Sequence, residues 1–235
     1  MKKFVLASLV VSLFTFNNIY AQKLDHSSGM ELIFGGAKTS NDNGTSTPNQ
    51  ATRFTPFLHI QQYLYYHITE KFGLYSGLAI RNVGFIEKEG NYTNKYRTYT
   101  AGIPLALTFG NLKKHFFVYG GAEAGMAFNY KEKRFNGDTK EHMSTSWFSG
   151  KTNTWQPQLF AGIQLPYGAN IKFAYYPQNF FNKDYTENNE FGVPEKLYED
   201  KNANLFYFSI SFQLFASEAK KITGGAEPEN RTAYR

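Results

Sequence analysis

Cysteine is absent from the sequence, which excludes both disulfide stapling and the lipidated cysteine of a lipoprotein. Charge is sparse. The 25 bases and 19 acids leave a net charge of +6, too mild a balance to be a nucleic-acid footprint. Long apolar runs are missing beyond the first residues, and no segment carries a heptad or 3.6-residue apolar period, so membrane-spanning helices and helical bundles are not expected. Tryptophan is rare as well, at 2 residues, yet Tyr and Phe number 17 and 23. So heavy an aromatic load on a chain of negative mean hydropathy points to apolar surface along one face of strands.

The N-terminus has the layout of an export signal. Lys2 and Lys3 precede an apolar stretch, residues 4–16, that Asn17 and Asn18 end, and Ile19-Tyr20-Ala21 offers a cleavage site. The stretch is too short for a mature spanning helix, which needs roughly 20 residues. The expected organisation is a signal peptide over 1–21, a β-barrel over 22–216 and a flexible periplasmic tail over 217–235. Loss of Lys2 and Lys3 would lower the net charge from +6 to +4.

After the signal, apolar and polar residues alternate in segment after segment, as a strand with one greasy face requires. In 205–215, Phe206, Phe208, Ile210, Phe212 and Leu214 share one face; Tyr207, Ser209, Ser211 and Gln213 share the other. The same alternation marks 30–35, 72–81, 98–108, 116–129, 158–165 and 170–175. Segment 56–66 is less regular, because Gln62 interrupts its apolar face. This makes eight strands. Their connections alternate in length: long at 38–53, 87–97, 131–154 and 177–203, short at 67–71, 110–114 and 166–169. Long outer loops and short periplasmic turns are the pattern of an antiparallel up-and-down transmembrane barrel. An even strand count puts both termini in the periplasm. Aromatics fall near strand ends in two expected belts: Phe72, Phe109, Phe116, Tyr167 and Phe215 at one, and Phe54, Phe85, Tyr96, Phe128, Trp155 and Phe206 at the other.

The segments FGLYSGLAIRNVGF (72–85), YRTYTAGIPLALTFG (96–110) and FVYGGAEAGMAF (117–128), with the aromatic strand 205–215, resemble the small outer-membrane β-barrel domains of Gram-negative bacteria, the OmpA-like and PorT-like barrels. The resemblance covers 29–216. It implies a bacterial outer-membrane location and a barrel, without implying a single activity. Large members carry a peptidoglycan-binding domain after the barrel, and the few residues after 216 cannot form one, so cell-wall anchoring does not carry over.

The candidate site lies on the polar faces. Glu31, Arg81, Glu123 and Lys172 are single charges on inward positions, two acids and two bases, and are expected to pair as a neutral network filling the lumen. By strand position Glu31 and Lys172 should lie near the periplasmic end, Glu123 near the middle and Arg81 near the outer end. A gated ion path is the sharper alternative for the same charges. Catalytic residues are not expected. The histidines His26, His59, His67, His115 and His142 show no Ser-His-acid spacing, and no two share a local metal-ligand spacing. Neither a cofactor nor a metal is anticipated. The long connections differ in charge: 131–154 holds five bases against three acids, and 177–203 holds six acids against three bases, so the two should lean on one another. The function expected is that of a non-enzymatic outer-membrane barrel with a structural, surface-exposed or accessory role. Its partners would be outer-membrane lipids and lipopolysaccharide, with a protein partner reached through the outer loops or the tail, and no nucleic acid. Two alternatives stand beside it. One is a soluble exported lipocalin-like barrel with its apolar face inside, the other an outer-membrane lipid-modifying enzyme.

Overall fold

The computed structural model describes residues 24–41, 50–57, 59–189 and 191–217. The expected signal 1–21 lies outside the described residues, as does the expected tail apart from Ser217. Eight antiparallel strands follow one another around a ring: β1 (Leu24–Asn41), β4 (Ile60–His67), β5 (Phe72–Glu89), β6 (Tyr92–Asn111), β7 (Phe116–Asn136), β9 (Gln158–Gln164), β10 (Ala169–Tyr175) and β13 (Lys201–Phe215). Each pairs with the next in sequence, and β13 returns to β1 in a register from Ser27↔Phe215 to Asn41↔Lys201. The ring is closed, so its backbone groups are paired around the whole circumference, as hydrocarbon demands.

The faces divide as the alternation requires. On β13, Tyr207, Ser209 and Gln213 are buried, while Phe206, Phe208, Ile210, Phe212 and Leu214 are exposed. The outward face of β6 presents Ile103, Leu105, Leu107 and Phe109, and that of β1 presents Met30, Leu32 and Phe34. Together these residues make an apolar girdle around the molecule. A lipocalin-like barrel would have the reverse, with an apolar lumen and a charged exterior. The fold is an eight-stranded up-and-down transmembrane β-barrel.

Several expectations need correction. The connection expected at 87–97 is not a loop: β5 and β6 run on to a two-residue turn, Gly90–Asn91. Likewise β7 continues to Asn136 and pairs with β8 (Thr139–Trp147) across Gly137–Asp138. Gly90 and Gly137 have φ of 58° and 55°, a left-handed conformation that a tight hairpin needs and glycine adopts without strain. A tilted span takes about 9–11 residues, whereas β6 has 20 and β7 has 21, so these strands extend well past the girdle. Segment 56–66 is broken. Within it only β4 is strand, from Ile60 on, and Pro56 lies in the break that separates β4 from the short β2 (Gln50–Ala51) and β3 (Arg53–Thr55). Of the expected belts, Phe85, Tyr96 and Phe215 point into the lumen and are almost fully buried; Phe54, Phe109, Phe116, Tyr167, Trp155 and Phe206 face outward. Position near a strand end does not give the face a side chain takes; parity along the strand does.

Candidate functional site

The lumen is a stack of side-chain layers. At the mouth beside the short turns, His115 stacks on Phe215 with ring centroids 3.9 Å apart, and Phe117 packs edge-on to Tyr65. Above them Tyr65, Tyr75, Tyr119 and Phe160 form a ring of mutual aromatic contacts. The tyrosine hydroxyls are not stranded. Tyr65 donates to Gln213 Oε1 at 3.0 Å and Tyr119 to Asn170 Oδ1 at 2.8 Å.

The four inward charges meet in the next layer. Arg81 Nε donates to Glu31 Oε2 at 3.1 Å, and its Nη1 contacts both carboxylate oxygens of Glu123. Lys172 Nζ lies 2.7 Å from Glu31 Oε1. Around this core Gln61 Nε2 and Ser209 Oγ donate to Glu31 at 2.5 Å each, and Arg81 Nη2 donates to Tyr63 Oη at 2.8 Å. All four charged side chains are at most 6% exposed. The spread along the barrel axis expected from strand position is therefore not found. Neighbouring strands of a closed barrel are staggered, so sequence position along a strand does not give height, and the arginine reaches across what remains. Two acids facing two bases leave the layer neutral, which a buried charge cluster needs.

A second aromatic layer closes the opposite mouth. Phe85, Tyr96, Phe180, Phe181 and Tyr198 contact one another, with Phe181 stacked on Tyr198 at 4.6 Å and perpendicular to Tyr96 at 5.1 Å. Phe180, Phe181 and Tyr198 come from 177–203, so this long connection folds inward as a plug. It also meets the other long connection, as the charge difference suggested. Lys151 Nζ lies 3.0 Å from Glu187 Oε2, Asn182 Nδ2 donates to Gly150 O at 2.9 Å, and Thr152 bridges Phe181. Within 177–203, β11 (Thr186–Asn188) and β12 (Pro194–Lys196) form a small exposed hairpin.

One polar cluster was missed by sequence reading. His115 Nε2 lies 3.0 Å from Asp25 Oδ2, and Ser217 Oγ donates to the same oxygen at 2.7 Å. These residues are 90 and 192 positions apart in sequence, and only ring closure joins them; no local signal could have found them. The residue types are those of a hydrolase triad, but the arrangement differs. In a triad the acid and the nucleophile engage opposite nitrogens of the imidazole. Here Asp25 and Ser217 both approach Nε2, with Ser217 Oγ 3.5 Å away. The cluster ties the start of β1, the β6–β7 turn and the end of β13 together. Of the other histidines, His59 is buried with Nδ1 accepting from the Asn82 N–H at 3.3 Å, and His26 shares Gln62 Oε1 with Ser28 on the outer face.

No protein-family model matches the chain, and no curated protein matches it. Solved structures do. The attachment invasion locus protein of Yersinia pestis is similar at 12% identity over 81% of this chain and 99% of its own, with a TM-score of 0.38. Neisserial surface protein A matches at 12% identity over 81% and 96%, with a TM-score of 0.36. The outer membrane protein OprG of Pseudomonas aeruginosa matches at 12% identity over 82% and 96%, with a TM-score of 0.31. Likenesses this distant assign no residue a role.

Proposed function

We propose that this protein is an integral outer-membrane barrel without enzymatic activity, a sealed scaffold that holds long polar hairpins above the membrane. The filled lumen carries this reading. Between the His115–Phe215 stack and the Phe85–Phe181–Tyr198 layer lies the neutral Glu31–Arg81–Glu123–Lys172 network, and together they occupy the path that an ion would need. An eight-stranded barrel is just wide enough to be filled in this way. The apolar girdle supports membrane insertion, and the resemblance to OmpA-like and PorT-like barrels agrees with the compartment. Binding roles concentrate on loops held by rigid scaffolds; here β7–β8 and the β11–β12 hairpin would supply that surface.

The test has two arms. The protein should fractionate with outer membranes and run faster on a gel unheated than boiled; recovery as a soluble periplasmic monomer would end the membrane reading. Reconstituted in planar bilayers it should be silent. Steady conductance that changes in Glu123→Gln would instead favour an ion path through the network.

A further inference from the structure

On the outward face of β6 the exposed apolar residues Phe109, Leu107, Leu105 and Ile103 are continued by Tyr99, Arg97 and Lys95. On β7 the register places Lys131 opposite Arg97 and Lys133 opposite Lys95. Two like-charged pairs thus face each other directly across one strand pair, an arrangement that is destabilising unless something else compensates it. Arg53 joins them, held by Asn82, whose Oδ1 accepts from Nη2 at 2.7 Å. These five bases and Tyr96 line a hollow of about 120 Å³.

No carboxylate among the described residues pairs with them. Among the described residues none of the five has an ion-pair partner, and the buried Nε of Arg97 has no hydrogen-bond partner. Glu132 sits between Lys131 and Lys133 in sequence but accepts from the hydroxyl of Tyr130, which is buried on the inner face. Lys95 and Arg97 rest instead on the Phe135 and Tyr99 rings, at 4.6 and 5.6 Å. Partial desolvation, then the nearby Lys131, Arg97, Lys140 and Lys95, push the Lys133 ammonium below its ordinary range.

We propose that this hollow binds a phosphate group of an anionic glycolipid in the outer leaflet. The chemistry favours phosphate, because several N–H donors converge with no carboxylate partner among the described residues, and guanidinium forks match phosphate oxygens. The location favours a lipid over a soluble anion, because the cluster continues the apolar face at the level where headgroups begin. The inference rests on the outer-membrane reading above and deepens it.

The test uses the full protein in zwitterionic detergent, with native mass spectrometry to follow binding of bisphosphorylated lipid A and of the same lipid stripped of phosphate. Wild type should prefer the phosphorylated lipid by at least about tenfold, the equivalent of a single charge-assisted hydrogen bond. The variant K95Q/R97Q/K131Q/K133Q should lose that preference, and K113Q/K114Q, at the opposite mouth, should keep it. Should the quadruple variant fail to fold, single Lys133→Gln takes its place and should weaken the preference. Equal binding of both lipids by wild type would overturn the proposal, as would a preference retained without the four charges. So would full displacement of the lipid by millimolar inorganic phosphate or by a sulfated oligosaccharide, since either would identify a site for soluble anions. Heat-dependent gel mobility separates the two readings. A wild type lacking it defeats the barrel assignment, whereas a folded barrel indifferent to phosphate defeats only this site.

Discussion

Arg81 is the side chain on which the lumen depends most. It contacts Glu31, Glu123 and Tyr63 at once and is 1% exposed. Removing one partner of a buried ion pair typically costs about 3–5 kcal/mol, so Arg81→Met should lower stability by that order and more than Lys172→Met, which leaves Arg81 beside both acids. Urea denaturation of folded protein in detergent would measure both; equal costs would mean that the two acids are not held mainly by Arg81. A subtler variant makes the same point. A Cβ added at Gly102 would overlap the Glu123 carboxylate, so Gly102→Ala should destabilise although it adds a single methyl group. Each of the four charges was legible in the sequence as a lone charge on a polar face. Their meeting was not, because it depends on stagger between strands and on the space left at Gly102, and a sequence displays neither.

The strands themselves were the most legible level. The period-two alternation of 205–215 identified the outward set Phe206, Phe208, Ile210, Phe212 and Leu214, and β13 presents that set to the exterior. Ile210 is opposite Ile171 on β10 and Leu32 on β1, in the middle of the girdle. A cation on the lipid face at mid-depth costs about 2–4 kcal/mol, so Ile210→Arg should reduce the heat-shifted fraction in membranes while Ile210→Leu leaves it unchanged. Equal yields from both would contradict the outward assignment. Polar composition was the less reliable guide: it suggested loops at 87–97 and 131–154 where β5, β6, β7 and β8 continue. Beyond the girdle a strand has water on one side and needs no apolar alternation, so its pattern fades while its hydrogen bonds persist. The cross-strand Arg97–Lys131 and Lys95–Lys133 pairs are illegible in the sequence for the same reason, since they lie in stretches whose composition reads as loop.

For the whole molecule, the assignment of sides decides every functional reading. The absence of cysteine permits a clean test with single introduced cysteines. Asp138→Cys, in the β7–β8 turn, should react with a membrane-impermeant maleimide in intact cells. Asn111→Cys and Tyr167→Cys, in the short turns of the other mouth, should react only after the outer membrane is opened. Labelling of Tyr167→Cys as fast as Asp138→Cys in intact cells would reverse the barrel or remove it from the membrane, and the outer-leaflet phosphate site would move with it.

The pairing of β13 with β1 also sets a timetable. Its first contact, Ser27 with Phe215, joins residues from opposite ends of the barrel, and loop closure over such a distance is slow. Until the last strand arrives, β1 and β10 each present an open edge and the girdle has no complete surface to offer a bilayer. A chain interrupted before residue 201 would retain seven strands and still be unable to close. Closure must therefore wait until β13 has been made, and during that interval two open edges need protection from one another and from other chains.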